Sequence, residues 1–404
     1  MKLKLFVILS RVPYPLEKGD KLRAFNQIKL LSKSFDIILF AMNDKKLDPM
    51  ALEQLKRYCK AIKFVQLPKA TIFTNMVRAF FSGLPFQVGY FYNPKIQKML
   101  DEYLNKHQPD LIYCQLIRTS EYVKHVKHIP KVLDYMDVFS KGVERWAAKS
   151  SFPLSMILRM EYKRLLKYEN TIFNYFDLKT IISEQDRALI FHPNNQQIKI
   201  IKNGVDMDFF YPQEITEQYD LLFSGNMNYP PNIDSALYLV NEILPIVEKN
   251  QKYKNIKLLI AGASPHKKIL ALQSSTITVS GWVEDIRECF SQSTIFIAPM
   301  QLSIGLQNKL LEAMAMKKPC ITSRLANNAI NAPEKDCILV ASTPEEYAHH
   351  IITLLDNKEE AKRLAEKGYN FVLQNYNWEK ITEDLSKNLR EIHASFKKKT
   401  LSSR

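Results

Sequence analysis

No stretch of the chain approaches the roughly eighteen consecutive apolar residues that a membrane-spanning helix needs. The opening MKLKLFVILSRVPYP has a basic start, but its apolar run is short, Ser10 and Arg11 interrupt it, and no small-residue cleavage site follows. It reads as a buried first strand and not as a signal peptide. The five cysteines, Cys59, Cys114, Cys289, Cys320 and Cys337, are scattered, odd in number and without Cys-x-x-Cys spacing. That argues against structural zinc and for a reducing compartment, so a cytoplasmic location is expected. Nucleic-acid signatures are absent too: no zinc finger, no helix-turn-helix pattern and no aromatic RNP motif. Histidines are dispersed, and the adjacent His349-His350 fall in a helical stretch where neighbours do not share a face. The one Asp-x-Asp triplet, Asp206-Met207-Asp208, follows the Asn203-Gly204 turn signal and belongs more naturally to a connection than to a metal site. No metal is expected.

What is present is a 404-residue chain, 46% apolar and 25% charged, long enough for two cores. Its net charge of +15 is unevenly placed: residues 1–200 hold 33 Lys+Arg against 18 Asp+Glu, a difference of 15, and residues 201–404 hold 24 of each. A basic half attracts polyanions or an anionic lipid surface; a solvated basic face without a partner is the plainer alternative.

The first half alternates KLFVILS, a helical LRAFNQIKLLSKS, then FDIILFAM, with further strand candidates at AIKFVQLP, DLIYCQL, KVLDYMD, LKTIIS and QIKIIKNGV. After the polar stretch VDMDFFYPQEITEQ a second alternation begins: DLLFSG, a helix over IDSALYLVNEILPIVEKN, IKLLIAG, TITVSG, a helix at IRECFSQ, TIFIAPM, a helix at LQNKLLEAMAMK, PCITS, CILV and a helix from PEEYAHH. The class is α/β, two doubly wound Rossmann-like domains facing a central cleft. Boundaries are expected at 1–205, 206–370 and a C-terminal helix, 371–396, packing back toward the first domain, with a frayed KKKTLSSR tail.

Open α/β sheets bind ligands beyond the carboxyl ends of their strands, where helix N-termini offer N–H groups to anions. In APMQLSIGLQNKLLEAMAMK, Gly305 lets backbone approach a phosphate, Lys309 brings positive charge to it, and Glu312, on the same helix face, can accept from ribose hydroxyls. The competing account is an ordinary Lys–Glu pair on a solvated helix, worth ~0.2–0.5 kcal/mol.

The stretch GLQNKLLEAMAMKKPCITS resembles the donor-binding signature of glycosyltransferase family 4, of the GT-B architecture. SGNMNYPPNIDSALYLVNEILP, IKLLIAGASP, VSGWVEDIRECFSQSTIFIAP and NYNWEKITEDL resemble other parts of that family's C-terminal half, in order. SRVPYPLEKGDKLRAFNQIKLLS is similar to the opening of a subgroup associated with exopolysaccharide loci, and IIKNGVDMDFFYP to the interdomain signature; residues 45–110 contribute little. The resemblance implies that Glu312 holds the ribose diol and Lys309 the diphosphate. Gly225, Asn226 and the helix start Gly305, Leu306, Gln307 and Asn308 would line the phosphates and sugar, with Trp282 and Val283 at the base. Lys18, Gly19 and Asp20 would form a glycine loop facing the sugar, although an isolated glycine also suits an ordinary turn.

Two positions depart from the family. Ile304 stands eight residues before Glu312 where many members have a second glutamate, and Met136 precedes Asp137 where many have histidine. Asp137 can still orient acceptor or sugar; helix capping or solvation is the other account of it. The implied activity is metal-independent transfer from a nucleoside-diphosphate sugar to a hydroxyl, retaining at the anomeric carbon, in bacterial surface or exopolysaccharide synthesis. Lys309 and Asp137 are the catalytic candidates. An epimerase or hydrolase on the same frame and a silent nucleotide-binding subunit are the rivals. A lipid-linked saccharide acceptor at an anionic membrane face would use the basic half, and KATIFTNMVRAFFSG, with Ile72, Phe73, Met76, Val77, Phe80 and Phe81, is either an interfacial amphipathic helix or a core-facing one.

Overall fold

The computed structural model describes residues 2–16, 18–302 and 306–402, with 401 and 402 described through their backbone only. The chain divides into two compact units: residues up to Lys202 together with those from Trp378 onward, and Asn203–Asn377 between them.

The first unit is built on strands β1 (Leu3–Leu9), β2 (Phe35–Asn43), β3 (Cys59–Gln66), β4 (Leu111–Gln115), β5 (Lys131–Asp134), β6 (Leu178–Ile181) and the two-residue β7 (Lys199–Ile200), in the order β3-β2-β1-β4-β5-β6-β7. The second carries β8 (Tyr219–Ser224), β9 (Leu258–Ala261), β10 (Ile277–Gly281), β11 (Ser293–Ala298), β12 (Cys320–Ser323) and β13 (Leu339–Ala341), in the order β10-β9-β8-β11-β12-β13. All the pairings within these sheets are parallel. The continuous apolar run of β1 is explained by two covered faces: Phe6 and Ile8 enter one core layer, Leu5, Val7 and Leu9 the other. In each sheet the chain runs outward from a central strand, then returns to that strand's other side. The carboxyl ends of β1 and β4, and of β8 and β11, are therefore topological switch points.

The unit boundaries differ from 205/206 and 370/371. Helix Lys358–Asn375 runs through residue 370 because Leu364 and Val372 are buried in the second core. The chain changes unit at Trp378, whose long helix, Trp378–Ser402, buries Ile381, Leu385 and Leu389 with Ile28 and Leu31 of helix Gly19–Leu31. That helix takes in residues 397–402 of the tail expected to fray; the last two lie outside the described residues. Asn203-Gly204 forms no turn: it leads into Val205, whose N–H donates to the Tyr376 carbonyl. The single helix expected over residues 233–250 is segmented, Pro230–Tyr238 giving way to a π-turn and then Leu244–Val247, with Pro245 in the last piece. Asp206 of the Asp-x-Asp triplet accepts from the Asp208 and Phe209 N–H groups and closes a local turn.

Helix Lys69–Ser82 does not face the core with its aromatics. Asn75 and Ala79 are buried, whereas Phe73 is 70% and Phe81 82% exposed, with Val77 and Phe80 also exposed. Arg164 of helix Leu154–Phe173 donates to the Ala79, Phe80 and Leu84 carbonyls and ties the two helices together.

One polar knot sits inside the first unit. The fully buried Arg23 guanidinium donates to both Asp134 oxygens, at 2.7 and 3.2 Å, and to the Lys202 carbonyl at 3.0 Å. Tyr113 and Thr180 hydroxyls donate to the same carboxylate at 2.9 Å each. Burial opposes the Arg23 charge, but the Asp134 carboxylate more than restores it and raises the guanidinium above its ordinary value. The knot joins a helix to β4, β5 and β6 just below the carboxyl edge of the sheet.

Candidate active site

In the second unit the switch point gathers Gly225 after β8, Gly262 after β9, Met300 after β11 and helix Asn308–Ala315. Gly225 and Gly262 have φ of +150° and +141°, a region that side chains rarely adopt. A Cβ on Gly262 would collide with the Gly225 carbonyl oxygen; one on Gly225 would lie 2.7 Å from Asn232 Nδ2 and 3.2 Å from Lys309 Nζ. Bare backbone is what lets β8 and β9 end side by side with a lysine above them.

Lys309 lies in the first turn of its helix. Its Nζ donates to Asn232 Oδ1 at 2.5 Å, lies 3.7 Å from Met300 Sδ, and sits 4.8 Å from the centroid of the Phe223 ring. Asn232 in turn donates through Nδ2 to the Asn226 carbonyl at 2.9 Å. This buried asparagine, within PPNID, holds both the lysine and the glycine turn, and sequence reasoning passed over it. The signal available was a polar residue where the helix pattern called for a core position.

Burial lowers Lys309 to about 7, with Glu312 opposing the shift, and raises Glu312 to about 7, with Lys309 opposing. Each keeps a little solvent-accessible surface although protein surrounds it on most sides. They do not form an ion pair, and among the described residues the Glu312 carboxylate accepts no hydrogen bond. Asn308, one residue before Lys309, has a buried Oδ1 that finds no donor among the described residues. A helix start thus presents one weakly satisfied cation and acceptors without donors, an arrangement suited to an anion flanked by hydroxyls.

The other expected residues scatter more widely. The described helix begins at Asn308, so Leu306 and Gln307 precede it; Gly305 and Ile304 lie outside the described residues. Asn226 is exposed and its side chain accepts from the Asn228 N–H, so only its carbonyl takes part in the cradle. Trp282, 72% exposed, and Val283 follow β10 at the far edge of the same sheet end, two strands from β8.

Lys18, Gly19, Asp20 and Asp137 belong to the first unit. Gly19 opens helix Gly19–Leu31, and a Cβ at that position would meet nothing within 4 Å, so neither space nor backbone demands glycine there. Asp20 pairs with Arg11 at 2.8 Å, and Lys18 is held down chiefly by burial and then by Arg11. Asp137 accepts from the Val138 N–H at 2.9 Å; burial raises it, and Val138, Arg145 and Arg118 oppose. Met136 before it and Leu116 after β4 both take positive φ, 57° and 64°, so two strained residues mark the carboxyl edge of this sheet.

Residues 218–357 match the family described as Glycosyl transferases group 1. An uncharacterized 44.6 kDa protein in the cps region of Klebsiella pneumoniae is 24% identical over 95% of this chain and 99% of its own length. An uncharacterized glycosyltransferase of Methanocaldococcus jannaschii is 30% identical over 57% of this chain and 64% of its own. Among solved structures, sucrose-phosphate synthase of Thermosynechococcus elongatus superimposes with a TM-score of 0.69 at 14% identity, over 97% of this chain and all of the other. The HepE protein of Anabaena, solved in complex with UDP, gives 0.66 at 13% identity, over 97% and 100%. The second unit thus carries the match to the group 1 glycosyltransferases, and the whole chain has the GT-B architecture of the solved glycosyltransferases it superimposes on.

Proposed function

We propose that the chain transfers a sugar, with retention, from a nucleoside-diphosphate sugar bound in its second unit to a hydroxyl of a growing surface polysaccharide. The observation that carries the donor reading is the Gly225–Asn232–Lys309 cradle at the carboxyl ends of β8 and β11. Support comes from the UDP in the HepE complex and from the relative in a cps region. As the bond to the sugar breaks, negative charge grows on the departing diphosphate. Lys309, recharged by that anion, stabilises it more than it stabilises the bound ground state, and no metal is needed for the step. Glu312 accepts from the ribose hydroxyls, and Asp137 orients the groups that meet at the first unit.

We further infer a lipid-linked acceptor presented at an anionic membrane face. The basic half and the exposed Phe73, Val77, Phe80 and Phe81 support it, as do the exposed Phe152 and Met156 at the N-terminal end of the helix that carries Arg164. Among the described residues no helix is long and apolar enough to cross a membrane. The deciding experiment is a panel of nucleotide sugars, assayed for binding and for transfer with and without acceptor lipid. Transfer from one donor is the expected result; turnover without acceptor would mean a hydrolase or epimerase, and binding without turnover a silent subunit.

A further inference from the structure

The first unit has a pocket of about 410 Å³ at its own switch point, lined by Arg11 after β1, Asp44 after β2 and Arg118 after β4, and walled by Tyr90, Phe91 and Trp146. Its size is that of a small-molecule site. The unusual member is Arg118. Its guanidinium lies 4.7 Å from the Phe139 ring centroid and 5.7 Å from that of Phe91, and donates through Nε and Nη2 to Gln87 Oε1 at 3.1 and 2.9 Å. Among the described residues no carboxylate lies within ion-pair distance of it.

The acidic groups nearby act on it only at a distance, because their hydrogen bonds go to other donors. Glu161 accepts from the Phe86 and Gln87 N–H groups, Asp44 from the Tyr90 hydroxyl, Asp20 from Arg11, and Asp137 from the Val138 N–H. A mostly buried cation with only a neutral amide to receive its donors leaves its remaining N–H groups for a ligand. Burial first, and then the like charge of Arg11, lower Arg118 to about 10 against the opposing charges of Asp20, Asp44 and Asp137, so it stays cationic at neutral pH.

We propose that this pocket receives an oxyanion, a phosphate or carboxylate, borne on the acceptor saccharide, with Arg118 as its counter-ion, Arg11 as a second cation and Trp146 as a wall for the sugar ring. The proposal rests on reading the first unit as the acceptor side of a glycosyltransferase. It makes the enzyme selective for charged acceptors through a forked guanidinium, which meets an oxyanion with two parallel hydrogen bonds. Trp146 is 56% exposed, and Met76 and Ile157 line the same pocket, so an apolar rim surrounds the charged floor.

The test titrates the full chain, saturated with UDP, with glucose 1-phosphate, glucuronate and glucose, followed by calorimetry. UDP binding reports the donor reading separately, so its failure cannot be confused with failure here. Both anionic sugars are expected to bind at least tenfold more tightly than glucose. Arg118→Gln should abolish that preference with UDP affinity unchanged, and Trp146→Ala should weaken all three sugars alike. Should Arg118→Gln not fold, Arg118→Lys, which keeps the charge but loses the fork, should reduce the preference severalfold. Binding to phosphatidate vesicles that glucose 1-phosphate competes away, and that Arg118→Gln loses, would place the oxyanion on a lipid; binding of glucose 1-phosphate without vesicle binding would place it on a soluble saccharide. Equal affinity for glucose and the anionic sugars, no binding of any of them, or a preference unchanged in the Arg118 variants would overturn the proposal.

Discussion

Replacing Glu312 by glutamine is expected to loosen nucleotide binding while tightening the fold, and the opposite signs make the test selective. In the ligand-free protein burial raises this carboxyl from an ordinary 4.5 to about 7, Lys309 opposing. A raised carboxyl contributes stability that is fully present below its unfolded value, near pH 4.5, and is lost as pH rises through about 7. Each pH unit across that window is worth ~1.4 kcal/mol. Allowing for the surface the side chain keeps, the ionised group costs on the order of 1–3 kcal/mol at pH 8. Glutamine cannot ionise, so Glu312→Gln should melt above wild type at pH 8, with the difference vanishing near pH 4.5. Binding runs the other way: losing a charge-assisted hydrogen bond to ribose costs ~1.5–3 kcal/mol, a loss of about 10- to 150-fold. The assay is calorimetric titration with a nucleoside diphosphate between pH 5.5 and 8.5, paired with thermal melts. Wild-type affinity should fall on the acid side, where the carboxyl must shed its proton before accepting hydroxyls, and the glutamine variant should lose that limb. Unchanged affinity, or a lower melting temperature at pH 8, would refute the reasoning.

Lys309→Ala should lower kcat more than it weakens donor binding, and EDTA should leave the wild-type rate unchanged; full activity in the variant, or collapse on chelation, contradicts a lysine-stabilised leaving group. Nucleotide affinity should also fall as pH rises above about 7, where Lys309 loses its proton, and Lys309→Arg should move that limb upward. Asp134→Asn should destabilise the first unit by ~3–5 kcal/mol, read by denaturant unfolding, because it leaves Arg23 charged and buried without its partner; a change below about 1 kcal/mol would show the knot to be dispensable. Co-sedimentation of the full chain should require anionic vesicles, weaken with salt and drop in Phe81→Asp; equal binding to neutral vesicles would remove the membrane reading.

The strands and the resemblance of the second half to the glycosyltransferases were legible from sequence because both rest on local order. Runs such as KLFVILS and TIFIAPM, short and rich in β-branched and aromatic residues, read as strands covered on both faces, and Lys309 and Glu312 sit three residues apart on one helix whatever surrounds them. Tertiary structure decided the rest. Asn232 meets Lys309 across 77 positions, and Gly262 meets Gly225 only because the neighbouring parallel strands β8 and β9 end side by side. Arg118 finds itself without an ion-pair partner in part because Glu161 and Asp44 are engaged by donors 75 and 46 positions away, and Arg23 reaches Asp134 across 111 residues. Whether Phe73 and Phe81 face the core or the solvent was equally open until the packing of helix Lys69–Ser82 was known, since periodicity fixes which residues share a face but not what that face meets.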